Sequence, residues 1–138
     1  MDILYYNDDC TFRLRDRRLL RRWLREVARQ EGGYRIGGIN YVFCSAARLL
    51  EMNRQYLGHD YYTDIITFDY SEEDVISGDL FISLDTVRSN SEQLGVEYEQ
   101  ELHRVIIHGI LHLCGINDKG EGEREIMEAA ENKALAMR

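Results

Sequence analysis

Proline is absent from the 138 residues. Every turn must therefore come from the 11 glycines and from Asn, Asp and Ser, which tolerate left-handed backbone or bond their own main chain. Cysteine is scarce and odd in number. Cys10, Cys44 and Cys114 are widely spaced, which excludes a disulfide framework and predicts reduced, buried thiols. No apolar run approaches the roughly 20 residues that a membrane helix needs, so no membrane partner is expected. The opening MDILYYNDDC carries acids early and no basic segment leading into an apolar stretch. That excludes a secretory signal and sets the cytoplasm as the expected location. Repeats, low-complexity tracts and linkers are also missing. With 44% hydrophobic and 30% charged residues, the chain reads as one domain, 1–138, with a sizeable core.

The formal net charge of −8 argues against a nucleic-acid partner, but the charge is unevenly spread. Residues 1–70 hold 11 basic and 10 acidic side chains, whereas residues 71–138 hold 6 and 15. Eight of the 17 basic residues fall between Arg13 and Arg29. Within that stretch Leu19, Leu20, Trp23, Leu24 and Val27 recur at helical spacing and predict one apolar face. Asp16 is the expected N-cap and Gly32-Gly33 the stop. Arg18, Arg21, Arg22, Arg25 and Arg29 fall on the opposite face. Such a stripe is either a solvated surface or the footprint of polyanion binding.

Strand composition marks 2–8, 39–46, 63–70 and 78–84, with an acidic loop (SEEDVIS) before the last. Helical patterns mark 47–57, 85–95, 97–115 and 123–138. The 97–115 helix is apolar on nearly every side from Val105 onward and should be the buried central one. Four strands and five helices in mixed order predict an α+β fold, a small mixed sheet packed by helices.

The chemistry concentrates in "HGILHLCGIND", 108–118. His108 and His112 lie four apart and so share one helix face. Gly115 can take the left-handed conformation that ends a helix, and Asp118 follows on the returning chain. Two imidazoles and one carboxylate, with a fourth position open, are a catalytic zinc arrangement. The competing reading is a pair of hydrogen-bonded core histidines. Cys114 points across the helix, and His103 lies well off the metal face as a surface or capping residue. Gly109 stands where zinc proteases place a glutamate base. It permits close approach of another backbone or of a substrate strand.

These residues resemble the signature H-G-x-L-H-L-x-G-x-D-H of the YbeY family, bacterial metal-dependent endoribonucleases of ribosomal RNA maturation. His108, Gly109, Leu111, His112, Leu113 and Gly115 match it. "NRQYLGHDYYTDIITFDY" (53–70) is similar to the family's N-x-x-Y-R-x-x-D-x-P-T-D-V-L-S-F-P, and "GDLFIS" (78–83) to its G-D-I-x-I-S. The resemblance runs from about Asn53 to Asp118, while the N-terminal third agrees only in layout. It implies one divalent ion, zinc first, held by His108, His112 and Asp118, which act catalytically through a metal-bound water. It implies single-stranded RNA as substrate, a role in 16S rRNA 3′-end maturation and ribosome quality control, and the ribosomal small subunit as partner, with ribosomal proteins or an assembly GTPase beside it.

Four departures stand out. Asp118 replaces the family's third histidine, and Asn117 the aspartate beside it. Leu57 stands where the family has an arginine, and Tyr62 and Asp69 replace prolines. Arg54, His59 and Lys119 are the candidates to contact substrate in that arginine's place. Asp64 is a candidate to brace the cleft floor or support a ligand, or else to cap a strand. Two rival functions remain open: a non-enzymatic ribosome-assembly factor with a structural metal, and a minimal metalloprotease.

Overall fold

Four segments rich in β-branched and aromatic residues pair into one sheet in the computed structural model, which describes residues 2–138. They are β1 (Ile3–Asn7), β2 (Arg35–Cys44), β3 (Ile65–Asp69) and β4 (Val75–Ser83), in the spatial order β1-β2-β4-β3. β1, β2 and β4 run parallel, and β3 closes one edge antiparallel to β4. The helices are α1 (Arg17–Gly32), α2 (Ala46–Leu57), α3 (Leu84–Leu94), α4 (Tyr98–Leu113) and α5 (Glu123–Leu135). The α+β class and the four-strand, five-helix count therefore agree with the sequence reading.

Two strands are longer than their composition suggested. β2 starts at Arg35 because the Gly37-Gly38 pair is absorbed as an irregularity between Ile36 and Ile39 in the β2–β4 pairing. β4 takes in part of the acidic loop because Glu72 and Val75 bridge and close a tight turn from β3.

α4 lies on the sheet and packs between α3 and α5, as its near-continuous apolar surface requires. Val105, Ile106, Ile107, Ile110 and Leu111 are all buried against Leu80, Ile82, Tyr41 and Val87. The buried Tyr41 hydroxyl donates to the Ile106 carbonyl at 2.8 Å, which ties this helix to the middle of the sheet two residues before His108. A neutral bond of this kind is worth about 1 kcal/mol net. α2 covers the other face through Leu49 and Met52, which meet Cys44 and Ile66.

Three local expectations fail. Leu19 is 57% exposed, since the buried stripe of α1 is Leu20, Trp23, Leu24, Val27 and Ala28. Asp16 occupies the N-cap position with left-handed backbone (φ 59°), and its side chain makes no capping bond. His103 is buried rather than superficial. Its ring lies beside Trp23, centroids 5.8 Å apart, and its Nδ1 accepts from Arg138 at 2.8 Å. α1 and the C-terminus fold over that position, which one helix pattern cannot show. Cys44 and Cys114 are buried free thiols and Cys10 is a partly buried one. Among the described residues no helix is long and apolar enough to cross a membrane.

Candidate metal centre

The last two turns of α4 present His108 and His112 on one side, four residues apart. Gly115 then takes positive φ (95°). Its N–H bonds to the His112 carbonyl, and the Ile116 N–H to that of Leu111. This is the helix stop expected from the sequence, and it returns the chain toward the histidines. Asp118 Oδ2 ends 3.2 Å from His108 Nε2. All three side chains line one cavity of about 560 Å³. The cavity sits between α4, the β3 edge of the sheet, and the segment that links α2 to β3.

His108 is fixed from behind. Its Nδ1 lies 2.6 Å from Glu131 Oε2 on α5, and the other Glu131 oxygen accepts from Arg104 at 2.9 Å. With Nδ1–H donated to a carboxylate, Nε2 is left to face the cavity as a basic nitrogen. Burial pushes the His108 pKa down, but the Glu131 hydrogen bond and the charges of Glu131, Asp118 and Asp64 outweigh it and hold the ring above the ordinary imidazole value. Asp64 also lines the cavity, and burial raises its pKa despite the opposing pull of His108. Its carboxylate accepts from Asn90 at 3.3 Å, and its carbonyl accepts the Ser83 N–H. It thus joins the entry of β3 to α3 at the cavity floor.

The donors suit a hard or borderline cation: two imidazole nitrogens and a carboxylate, with further carboxylates close enough to His108 to bias its charge. The His112 ring has no hydrogen-bond partner among the described residues. As the side chains stand, no group of three His, Cys, Asp or Glu residues among those described gathers as a formed ion site. Asp118 instead closes directly on His108.

The remaining sequence candidates divide. His59 and Lys119 line the cavity, as does Leu57. Arg54 does not; it is exposed on α2 and paired with Asp60. At Gly109 the close approach expected from the sequence is made by side chains of the sheet. A Cβ there would lie 2.1 Å from Leu80 Cδ2 and 3.1 Å from Ile65 Cδ1, so the missing side chain lets the sheet's own residues press against the helix. Sequence reasoning missed Glu131, Arg104 and Arg124, the last of which also lines the cavity. Glu131 did leave a signal. It falls on the buried stripe of α5 with Met127 and Ala134, where a carboxylate needs a partner.

A family model described as endoribonuclease YbeY matches residues 4–137. The endoribonuclease YbeY of Phocaeicola vulgatus is 75% identical over 115 residues, 83% of each chain. That of Bacteroides thetaiotaomicron is 72% identical over 116 residues, 84% of each chain. That of Parabacteroides distasonis is 60% identical over 137 residues, 99% of this chain and 96% of its own. Among solved structures, the solution structure of a Thermotoga maritima protein is similar with a TM-score of 0.65 at 29% identity, covering 99% of this chain and 88% of that one. The motifs, their order along the chain and the fold that carries them have one meaning: the chain belongs to the endoribonuclease YbeY family.

Proposed function

We propose that the chain is a metal-dependent endoribonuclease specific for single strands, with one divalent ion, zinc first, held by His108, His112 and Asp118. The observation that supports this reading is the cavity itself, which those three side chains line together with two cations, Lys119 and Arg124. When bound, such an ion supplies Lewis-acid polarisation of a phosphoryl oxygen and a more acidic water. The protein's own groups do the rest. Glu131 holds the His108 ring in one tautomer and orientation. Lys119 and Arg124 offer positive charge to the RNA backbone, and Arg124 supplies on α5 the guanidinium that Leu57 lacks. Asp64 braces the floor between β3 and α3. The same reading extends to 16S rRNA 3′-end maturation and ribosome quality control in the cytoplasm, with the small subunit as the particle engaged.

The test is to purify His112→Ala and measure metal content and cleavage of single-stranded RNA together. Both are expected to fall to background. Cleavage that survives in the metal-free variant sinks the mechanism. The assembly-factor alternative binds through the Arg13–Arg29 helix and is favoured by the loss of an arginine at Leu57, a loss that Arg124 in the same cavity offsets. Retained binding to ribosomal particles, with no cleavage by the wild type at any metal loading, would restore it. The protease alternative has no glutamate to stand on, since position 109 is a glycine packed against Leu80.

A further inference from the structure

One wall of the cavity carries a pair of aromatic rings that the reaction does not use. His59 and Tyr61 stack with centroids 5.1 Å apart and planes 20° apart. The Tyr61 hydroxyl and His59 Nδ1 share a hydrogen bond of 3.0 Å, which locks the two rings together. Both line the cavity that holds His108, His112 and Asp118. Tyr61 nevertheless keeps 51% of its surface open.

The segment that carries the rings is held at several points. The Asn53 side chain, 1% exposed, donates to the Tyr61 carbonyl at 2.9 Å, and the Asn53 carbonyl accepts the His59 N–H at 3.1 Å. Gly58 takes left-handed backbone (φ 67°) to make that return, and Asp60, the residue between His59 and Tyr61 in the chain, pairs with Arg54. A buried asparagine that spends its amide and its carbonyl on one short loop sets the position of the rings. Aromatic side chains fixed in advance bind at little entropic cost.

We propose that His59 and Tyr61 form a nucleobase-stacking site, which takes one unpaired base of the RNA whose phosphate lies at the metal centre. The proposal rests on the ribonuclease reading above. Every base has a π-face, so such a platform tolerates sequence. A base inside a duplex has both faces covered and cannot dock, so the platform selects single strands. The cations and the rings share one cavity, and together they offer the two features of a single-strand binder: charge for the backbone and a ring for the base. This also gives His59 a role other than phosphate contact.

The experiment walks 2-aminopurine along a short single-stranded RNA and follows its fluorescence by stopped flow, so that binding is read before cutting. Cleavage kinetics are measured on the same RNA and on copies made abasic at each position. The wild type is expected to quench the probe at one position near the cut. Tyr61→Phe should keep the quench, since the ring remains. Tyr61→Ala should lose it and raise KM by roughly 5- to 150-fold, the range of base–aromatic stacking. The same variant should match the wild type on RNA abasic at that position. Quenching by Tyr61→Ala equal to the wild type overturns the proposal, as does an equal loss on intact and abasic RNA. Cleavage by the wild type with no quench anywhere also overturns the platform but leaves the enzyme standing. Quenching without cleavage does the reverse. Tyr61→Leu, which fills the volume without a π-face, should behave as Tyr61→Ala, and equality with Tyr61→Phe would show a packing role instead.

Discussion

Glu131 Oε2 lies 2.6 Å from His108 Nδ1, and the two residues come from different helices, 23 positions apart. The contact decides which imidazole nitrogen faces the cavity. Groups that orient a metal-bound histidine in this way typically change metal affinity about 10- to 100-fold when removed. Glu131→Gln is therefore expected to weaken zinc binding by about that factor, with cleavage recovered at high metal. Competition against a chromophoric chelator measures it. Unchanged affinity would mean that Glu131 serves only the Arg104 ion pair.

Asp118 is expected to bind the ion as a carboxylate in the family's histidine position. Asp118→Ala should lose metal and cleavage together. Asp118→His should keep both, because the replacement supplies the donor of the family signature. Metal content by elemental analysis, beside cleavage of one RNA, separates the two variants. Full activity in Asp118→Ala would leave the site with only the two histidines of α4 as its ligands.

Gly109→Ala would place a methyl group 2.1 Å from Leu80 Cδ2 in a region with no free space. Overpacking of this kind costs about 1–3 kcal/mol, partly offset by the roughly 1 kcal/mol by which alanine outdoes glycine in a helix. Net destabilisation is expected in urea unfolding. Adding Leu80→Val should recover part of it, so the two changes should be non-additive.

Cys44 is fully buried, and burial pushes its thiol up to about 12 from an ordinary value of 9.0. The folded chain therefore holds this proton more tightly than the unfolded chain. Its contribution to stability is whole below about pH 9 and is lost as pH rises toward 12, at up to ~1.4 kcal/mol per pH unit for one group. Cys44→Ala should flatten the alkaline limb of a stability–pH curve. Native protein at pH 8 should leave Cys44 unmodified by a thiol reagent that reacts fully after denaturation.

Much of the fold was legible because its signals are local. The repeat of Leu20, Trp23, Leu24 and Val27 defines α1, whereas Ser45 and Ser83, read with the strands, turn out to cap α2 and α3 through bonds to backbone N–H groups three residues on. The strand limits were less legible. The strand read over 39–46 starts at Arg35, with Gly37-Gly38 taken in as a pairing irregularity, a difference made only by the neighbour at β4. His103 looked superficial because α1 and Arg138 reach it from distant parts of the chain.

By itself, the sequence determined the identity and order of the chemistry. The spacing of His108 and His112 puts two imidazoles on one face, and Gly115 permits the turn that brings Asp118 back. Helical periodicity and backbone freedom act within a few residues, so they can be read from letters. Only the tertiary structure decided what surrounds those donors. It set Glu131 behind His108, brought Arg124 into the cavity that Leu57 lines, filled the notch at Gly109 with Leu80, and placed the His59–Tyr61 rings in the cavity lining. These contacts join segments far apart in the chain. Their partners are chosen by how α4 and α5 pack on the sheet and by how the α2–β3 segment folds back, and no local pattern encodes that choice.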